Sequence, residues 1–229
     1  LSLIQRLGGE AATNERLDEF FAYEQLKENP EETARKVWVN SAYDYYGQTH
    51  YNPQNEPDLH SPYVYLWTGQ PWKTADVVRA AMLLFRDGPD GITGNDDVGT
   101  MSAWHVLSSL GIYPATAGTQ QLVIGSPVFE TATVHLAEPF GTGDVVINAK
   151  GTSSKNRYVQ SVLMDGKRHK ASWFTASDLR AGATLDLEMG ATPSTWAVKG
   201  NTRAPAPVPG HGPLRSHDLF IGVTPVDAT

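Results

Sequence analysis

The chain has 229 residues, with 18 basic and 25 acidic side chains, and its formal net charge at pH 7 is −7. This acidic balance argues against nucleic-acid binding, which needs a basic footprint, and no segment approaches the ~18 apolar residues of a membrane span. The chain contains no cysteine, which excludes disulfides, zinc–thiolate centres, iron–sulfur clusters and cysteine nucleophiles. A globular protein with neither a nucleic-acid partner nor a membrane span is expected.

The first 111 residues show the spacing of α-helices. Apolar side chains recur at intervals of three and four in residues 14–27, 31–46, 63–67, 74–85 and 98–110. Asn29-Pro30 and Gln70-Pro71 separate neighbouring helices, because the residue before a proline disfavours the helical conformation. Gly111 is placed as a left-handed cap of the last helix. Successive helices without an intervening strand predict a layer of helix packed on helix.

Beyond Pro114 the apolar period changes to two. This alternation predicts short strands at residues 121–124, 133–136, 145–147, 158–163 and 184–188. Asp165-Gly166 lies between two apolar runs and is typical of a hairpin turn. The strands are expected to form a β-sandwich or part of one, and the proline-rich segment 204–210 is expected to be extended or disordered.

A proline-stiffened loop at residues 51–60 carries an unusual set of polar side chains. Asn55, Glu56, Asp58 and His60 lie just before a predicted helix. Asn and Asp commonly cap helices, which is one interpretation of the loop. Oxygen donors in a stiff loop also suit Ca²⁺ or a polar ligand. The residue types alone leave both interpretations open.

A second acidic loop covers residues 87–99. Its acidic residues do not alternate as in an EF-hand, and no closing glutamate follows. Asp96 and Asp97 are adjacent, so each raises the cost of ionising the other. Asp97 begins the predicted helix, whose dipole favours an anion at this end. An ionised carboxylate suits a general base, and an N-cap aspartate is the structural alternative.

Other catalytic patterns are absent or incomplete in the sequence. Residues 125–127 lack the second half of a Gly-x-Ser-x-Gly elbow, and neither a P-loop nor a dinucleotide-binding fingerprint is present. His105 is interpreted as a core or rim histidine of a helix. Trp67, Trp72 and Trp104 lie in or near the two loops, where aromatic faces stack on sugars or, more commonly, pack in the core.

The run at residues 94–114, Gly-Asn-Asp-Asp-Val-Gly-Thr-Met-Ser-Ala-Trp-His-Val-Leu-Ser-Ser-Leu-Gly-Ile-Tyr-Pro, resembles the glycoside hydrolase family 92 α-mannosidases. Asn55-Glu56-Pro57 with His60 also resembles that family, and so do residues 63–65, 69–74, 124–127 and 158–162. These matches keep their order and spacing from about Leu3 to about Trp196. Several motifs in register are more specific than any one of them.

The resemblance implies an α plus β fold, with helices of an incomplete (α/α)6 barrel followed by a β-sandwich-like C-terminal region. The corresponding boundaries are residues 1–114 for the barrel helices, 115–199 for the β region and 200–229 for a proline-rich extended tail. The implied activity is calcium-dependent, inverting exo-hydrolysis of terminal α-mannosides of glycans.

The resemblance also suggests roles for individual residues. Inversion uses an acid and a base separated by roughly 6.5–9.5 Å, so the adjacent Asp96 and Asp97 do not form that pair. Alignment assigns the base to Asp97, with Asp96 as a supporting or alternative carboxylate. In some members an aspartate stands at the position of Asn95. Asn55 and Glu56 are expected to contact Ca²⁺, and sugar-binding roles are expected for Glu56, His60 and Trp72.

The family's general acid precedes a segment that Leu3–Gly9 resembles, so the acid is expected upstream of this chain. The chain is then the C-terminal portion of a secreted or periplasmic enzyme, inactive alone. Its partners are expected to be a mannose-containing glycan and the missing N-terminal portion. The alternative is a non-catalytic carbohydrate-binding or structural fragment that uses the same aromatic residues and acidic loop.

Overall fold

A computed structural model describes residues 2–39 and 49–205. The α-helices are Ser2–Arg6 (α1), Glu10–Phe20 (α2), Tyr23–Glu28 (α3), Pro30–Glu32 (α4), Pro71–Met82 (α5) and Thr100–Leu110 (α6). A π-helical turn at Thr33–Trp38 follows α4, and a 3-10 helix at Glu56–Leu66 precedes α5. The later part of the helix predicted at 31–46, residues 40–46, lies outside the described residues. Within the described ranges, no helix is long and apolar enough to cross a bilayer.

The predicted helices are present with shifted ends. The helix expected at 14–27 is two helices, because Ala22 between them takes a left-handed conformation with φ 49°. The last helix begins at Thr100 and not at Val98, since residues 97–99 are all left-handed. Gly111, at φ 77°, forms the predicted C-cap of α6.

In the described part of the chain, eight strands form two sheets. Their bounds are Ile112–Tyr113 (β1), Gln121–Ile124 (β2), Thr131–Leu136 (β3), Gly143–Asn148 (β4), Tyr158–Met164 (β5), Lys167–His169 (β6), Trp173–Thr175 (β7) and Ala183–Gly190 (β8). The strand order is β1-β2-β7 in one sheet and β3-β4-β8-β5-β6 in the other. Only the β4–β8 pair is parallel among the described strands. The five predicted strands are confirmed as β2, β3, β4, β5 and β8.

The hairpin turn predicted from sequence is confirmed between β5 and β6. Met164 pairs with Lys167 across the turn. Asp165 at φ 50° and Gly166 at φ 72° are both left-handed, as a two-residue type I′ turn requires. Asp165 also accepts a 2.8 Å hydrogen bond from the backbone N–H of Thr184, which fixes the turn against β8.

The two sheets enclose an aliphatic core. It includes Ile112, Leu122, Ile124 and Phe174 from the first sheet, and Val145, Ile147, Val162, Leu185 and Leu187 from the second. Alternation along the strands directs these side chains inward. A two-sheet sandwich therefore forms the C-terminal region, as expected. The (α/α)6 barrel implied for the helical part stays a prediction.

A separate core holds the helices together and is rich in aromatic rings. Its fully buried members include Phe21, Trp38, Tyr51, Tyr63, Tyr65 and Trp104. Most of the close ring pairs around Phe21 and Tyr51 meet edge to face, which is the arrangement that ring quadrupoles favour. We call this aromatic core and its helices the helical layer.

One of the contacts that join the helical layer to the sandwich is a buried carboxylate. Asp76 on α5 accepts hydrogen bonds from the Tyr23 hydroxyl at 2.6 Å, Arg157 Nε at 2.6 Å and the Tyr158 hydroxyl at 2.8 Å. Its side chain lies between α3 and the start of β5. Burial, followed by the charge of Asp76, raises the pKa of Tyr23, so the hydroxyl stays protonated and donates.

The end of the described chain returns to the helical layer. A 3-10 turn at Gly200–Thr202 leads to Arg203, which donates to Glu10 Oε1 at 2.5 Å and to the Trp67 carbonyl at 3.1 Å. Ala204 is buried in the helical core. The tail predicted from residue 200 thus begins with a segment packed on helices, and residues 206–229 lie outside the described residues.

Candidate active site

The loop at residues 51–58 has a buried, closely bonded base. Tyr51 and Gln54 are buried, and the Tyr51 N–H donates to the carbonyl of Phe20 at 2.8 Å. Asn52 receives the Gln54 N–H on its side-chain oxygen at 3.0 Å, and its own N–H donates to Asp58 at 3.2 Å. Burial raises the pKa of the Asp58 carboxyl. These bonds fix the base of the loop that carries Asn55.

Asn55 and Glu56 stand at the outer end of this loop. Asn55 is exposed, and Glu56 is half-buried as the first residue of the 3-10 helix. Among the described residues, neither side chain makes a hydrogen bond or an ion pair. The Asn55 amide and the Glu56 carboxylate therefore offer oxygen atoms to a ligand, and they come directly after the fixed base of the loop.

The two acidic loops touch at a glycine. Gly94 has φ 70°, and a Cβ there would lie 3.0 Å from the Cα of Gln54 and overlap the Gln54 carbonyl. Only glycine permits this approach and this conformation together. Gln54 precedes Asn55-Glu56 in one loop, and Gly94 precedes the run 95–97 in the other. The structure therefore brings both predicted site loops to the same place.

Asp96 is the carboxylate that caps α6. Its Oδ1 accepts hydrogen bonds from the backbone N–H and the hydroxyl of Ser102, both at 2.8 Å. This carboxylate satisfies an otherwise unpaired N–H of the first helical turn. Asp96 thus takes the capping role that the sequence left open for Asp97. Ser102, which sequence reasoning missed, could have been found from its place in the first turn.

Asp97 is exposed and held by its backbone. Its carbonyl accepts from the N–H of Thr100 at 3.2 Å and from the Thr100 hydroxyl at 2.8 Å. The carboxylate makes no hydrogen bond or ion pair to any residue that the structure describes. Asp97 and Val98 have φ of 43° and 58°, and a β-branched residue rarely adopts this conformation. A strained turn therefore presents a carboxylate to solvent.

The oxygen atoms of Asn55 and Glu56 are of the kind that calcium, the ion implied by the resemblance, binds. Ca²⁺ takes about six to eight oxygen ligands, and the amide of Asn55 and carboxylate of Glu56 are of the right type. No group of three or more His, Cys, Asp or Glu side chains converges in residues 2–39 and 49–205. The described residues fit the chemistry of a calcium ligand but supply only part of a coordination shell.

His60 lies beside a cavity of about 260 Å³ that Ser61 and Trp67 also line. Its ring centroid is 5.6 Å from that of Tyr113, and its Nδ1 is buried without a hydrogen-bond partner in the described part of the chain. Burial lowers the pKa of His60, so the imidazole is neutral at pH 7. A neutral ring with a free nitrogen can bond to a ligand hydroxyl.

Trp72 and His105 are the remaining aromatic and imidazole side chains that the sequence singled out. Trp72 lies half-buried in a narrow cleft between α5 and the sandwich, which Tyr158 and Trp196 also line. No residue of the two acidic loops lines that cleft, and sugar binding by Trp72 stays a prediction. His105 stacks on Phe85 with centroids 4.5 Å apart, a packing role of the kind expected from sequence.

Comparison with known proteins identifies the family. The model of the glycosyl hydrolase family 92 catalytic domain matches residues 1–191. The chain belongs to this family. A solved family 92 α-mannosidase from Bacteroides thetaiotaomicron is 30% identical, with a TM-score of 0.71 over 86% of this chain and 24% of its own. A family 92 inverting mannosidase from the same organism is 27% identical, with a TM-score of 0.70 over 88% of this chain and 27% of its own.

A curated relative is also described as a glycosidase. An uncharacterized secreted glycosidase from Arthroderma benhamiae is 28% identical over 155 residues, which cover 66% of this chain and 20% of that protein. The family 92 chain described here therefore spans about a fifth of its curated relative and about a quarter of the solved structures.

Proposed function

We propose that this chain supplies part of the active site of an inverting exo-α-mannosidase that acts on terminal α-mannosides of glycans. Family membership supports a glycoside hydrolase, and the similar structures from Bacteroides thetaiotaomicron are described as mannosidases, one of them inverting. The observation that carries the proposal is the contact between Gly94 and Gln54. This contact joins the loop of Asp97 to the loop of Asn55 and Glu56.

In this proposal Asp97 is the general base. Its carboxylate accepts a proton from the water that attacks the anomeric carbon, while an acid on the opposite side protonates the departing oxygen. Asp96 is bonded twice to Ser102 and thereby fixes the backbone that carries Asp97. We place the acid in the remainder of the full-length enzyme, and this chain alone is expected to be inactive.

Asn55 and Glu56 are proposed to hold Ca²⁺ together with ligands from outside the described residues. When bound, the ion would supply positive charge that fixes two neighbouring hydroxyls of mannose. His60 is proposed to contact a sugar hydroxyl through its neutral ring. A secreted or periplasmic location is proposed as well, supported by the secreted relative.

The test is Asp97→Asn in the full-length enzyme, with release of mannose from an α-mannoside as the measurement. Loss of the base should lower kcat by at least about 10²-fold. Asp90→Asn is the matched control, because Asp90 lies in the same loop, where it pairs with Arg86. Near-normal turnover by the Asp97 variant would remove the base assignment.

Three further measurements separate the parts of the proposal. Inversion predicts β-mannose as the first product in an NMR time course, whereas α-mannose would contradict it. A calcium chelator should abolish mannose release, and added Ca²⁺ should restore it. Glu56→Gln should then raise the Ca²⁺ concentration needed for half-maximal activity, and an unchanged requirement would remove Glu56 from the metal site.

A further inference from the structure

A second cavity lies between the helical layer and the sandwich, away from the two acidic loops. Its volume is about 500 Å³, and it opens between α5 and the loop that precedes β5. Its walls carry three cationic side chains, Arg79, Lys155 and Arg157, and one carboxylate, Asp76. Cations thus outnumber carboxylates in this cavity, although the chain as a whole has a net charge of −7.

The single carboxylate is already engaged. Asp76 is bonded to Arg157 Nε at 2.6 Å and also receives two tyrosine hydroxyls. Within the described residues, Arg79 donates only to neutral oxygens, those of the Ser126 hydroxyl at 3.0 Å, the Pro127 carbonyl at 2.5 Å and the Thr152 hydroxyl at 2.9 Å.

Arg79 and Lys155 form no ion pair within residues 2–39 and 49–205. Burial, and then the charge of Arg157, lowers the pKa of Arg79 to about 10. The guanidinium is therefore still charged at pH 7 but lacks compensation. A partly buried, unpaired guanidinium is costly unless an anion shares its site.

Apart from Ser154, the rest of the wall is apolar. Leu26 and Leu83 line the cavity beside the cations. The cavity volume far exceeds that of one phosphate ion, whereas it falls within the range of small-molecule sites. A ligand that fills the cavity combines an oxyanion head with a less polar body.

We propose that this cavity binds a small organic phosphate or sulfate ester. Arg79 and Lys155 hold the tetrahedral oxyanion, and Leu26 and Leu83 contact the organic part. Guanidinium and ammonium groups are the usual protein partners of such oxyanions. The site is separate from the glycoside-cleaving centre proposed above and does not depend on it.

Binding is measured by isothermal titration of the full-length protein with inorganic phosphate, inorganic sulfate and phenyl phosphate. Each ligand should bind saturably and weaken as sodium chloride rises from about 50 to about 300 mM. Phenyl phosphate should bind several-fold tighter than inorganic phosphate, because its ring meets the apolar wall. Competition between phosphate and sulfate shows which oxyanion is preferred. Absence of saturable binding by all three would overturn the proposal.

Matched variants locate the binding. Lys155→Gln should raise Kd about threefold, and Arg79→Gln should raise it by more than about tenfold. Lys170→Gln, at an exposed lysine that does not line the cavity, should leave Kd unchanged. Lys155 is exposed and has no bond to the rest of the described chain, so its variant tests the site even where Arg79→Gln fails to fold. Equal affinity in the Lys155 and Lys170 variants would place the anion elsewhere and overturn the proposal.

Discussion

The helical layer and the sandwich have cores of different chemistry. The sandwich core is almost entirely aliphatic, with inward side chains from alternating strand positions. The helical core contains tyrosines whose hydroxyls reach polar partners: Tyr63 pairs with Ser108 at 2.7 Å, Tyr65 donates to Asp18 at 2.8 Å and Tyr23 donates to Asp76 at 2.6 Å.

This difference indicates what each region contributes. Aliphatic packing is non-directional, so it forms a stable platform without fixing one side chain at one angle. Hydroxyl bonds are directional, and two of those in the helical core come from Tyr63 and Tyr65 in the 3-10 helix that begins at Glu56. These bonds therefore help to fix the 3-10 helix that begins at Glu56, and from the sandwich Tyr113 of β1 adds a ring that stacks on Tyr63 at 4.6 Å.

The largest loss of stability is expected from a change at Asp76, which is bonded to both regions. Asp76→Ala leaves Arg157 without its carboxylate and removes the acceptor of two tyrosine hydroxyls. We expect a loss of about 3–5 kcal/mol in the free energy of unfolding, measured by urea titration. Asp76→Asn, which keeps an acceptor, should lose less. Equal losses would show that the charge of Asp76 contributes nothing.

Within the sandwich, Leu185→Ala should cost about 3 kcal/mol, because it opens a cavity in a fully buried core. Leu163→Ala is the control, since Leu163 is one of the exposed apolar residues, and it should cost less than about 1 kcal/mol. Under the proposed function, mannose release by the full-length enzyme that carries Leu185→Ala and remains folded should stay near normal. A selective loss of kcat without loss of structure would contradict the platform role.

Tyr63→Phe tests the directional core with a smaller perturbation. Removing the hydroxyl leaves Ser108 buried without its partner, at a cost of about 1–2 kcal/mol. The double variant Tyr63→Phe/Ser108→Ala should recover part of that loss. Full additivity of the two single variants in thermal unfolding would show that the bond does not couple them.

The smallest effect is a pH dependence confined to the helical layer. Burial lowers the pKa of His60 below its ordinary 6.5, against a smaller opposing effect of a backbone hydrogen bond with Ala115. Below pH 6.5 the unfolded chain binds the proton more readily, so this contribution to stability is present at pH 7 and is lost as pH falls. His60→Gln should shrink the difference in unfolding free energy between about pH 7 and about pH 5. An unchanged difference would mean that His60 has the same pKa in the folded and the unfolded chain.

Much of the secondary structure could be predicted because its signals are local. Five strands follow from alternation, and the β5–β6 turn follows from Asp165-Gly166. The short strands β1, β6 and β7 have only two or three residues, too few for a period to emerge. The break at Ala22 has no glycine or proline to mark it, so tertiary packing overrides the local pattern there.

The sequence names candidate residues for the site but does not give their arrangement, and their roles stay predictions. The sequence supplies two acidic loops, and the contact between Gln54 and Gly94 is a long-range event that no spacing encodes. Asp96 caps α6 while Asp97 faces solvent, and this difference depends on three successive left-handed residues, 97–99. Of these only Gly99 signals such a conformation in the sequence.

The return of Arg203 and Ala204 to the helical layer has a consequence for synthesis on the ribosome. Arg203 bonds to Glu10, which is made 193 residues earlier. A nascent chain that has already emerged with its helices and both sheets still lacks this closing contact and the Ala204 side chain of the helical core. Contacts so distant in sequence form late. Helices α1 and α2 therefore stay incompletely covered until Arg203 and Ala204 have emerged from the ribosome, and chaperone capture of stalled chains should fall once they have emerged.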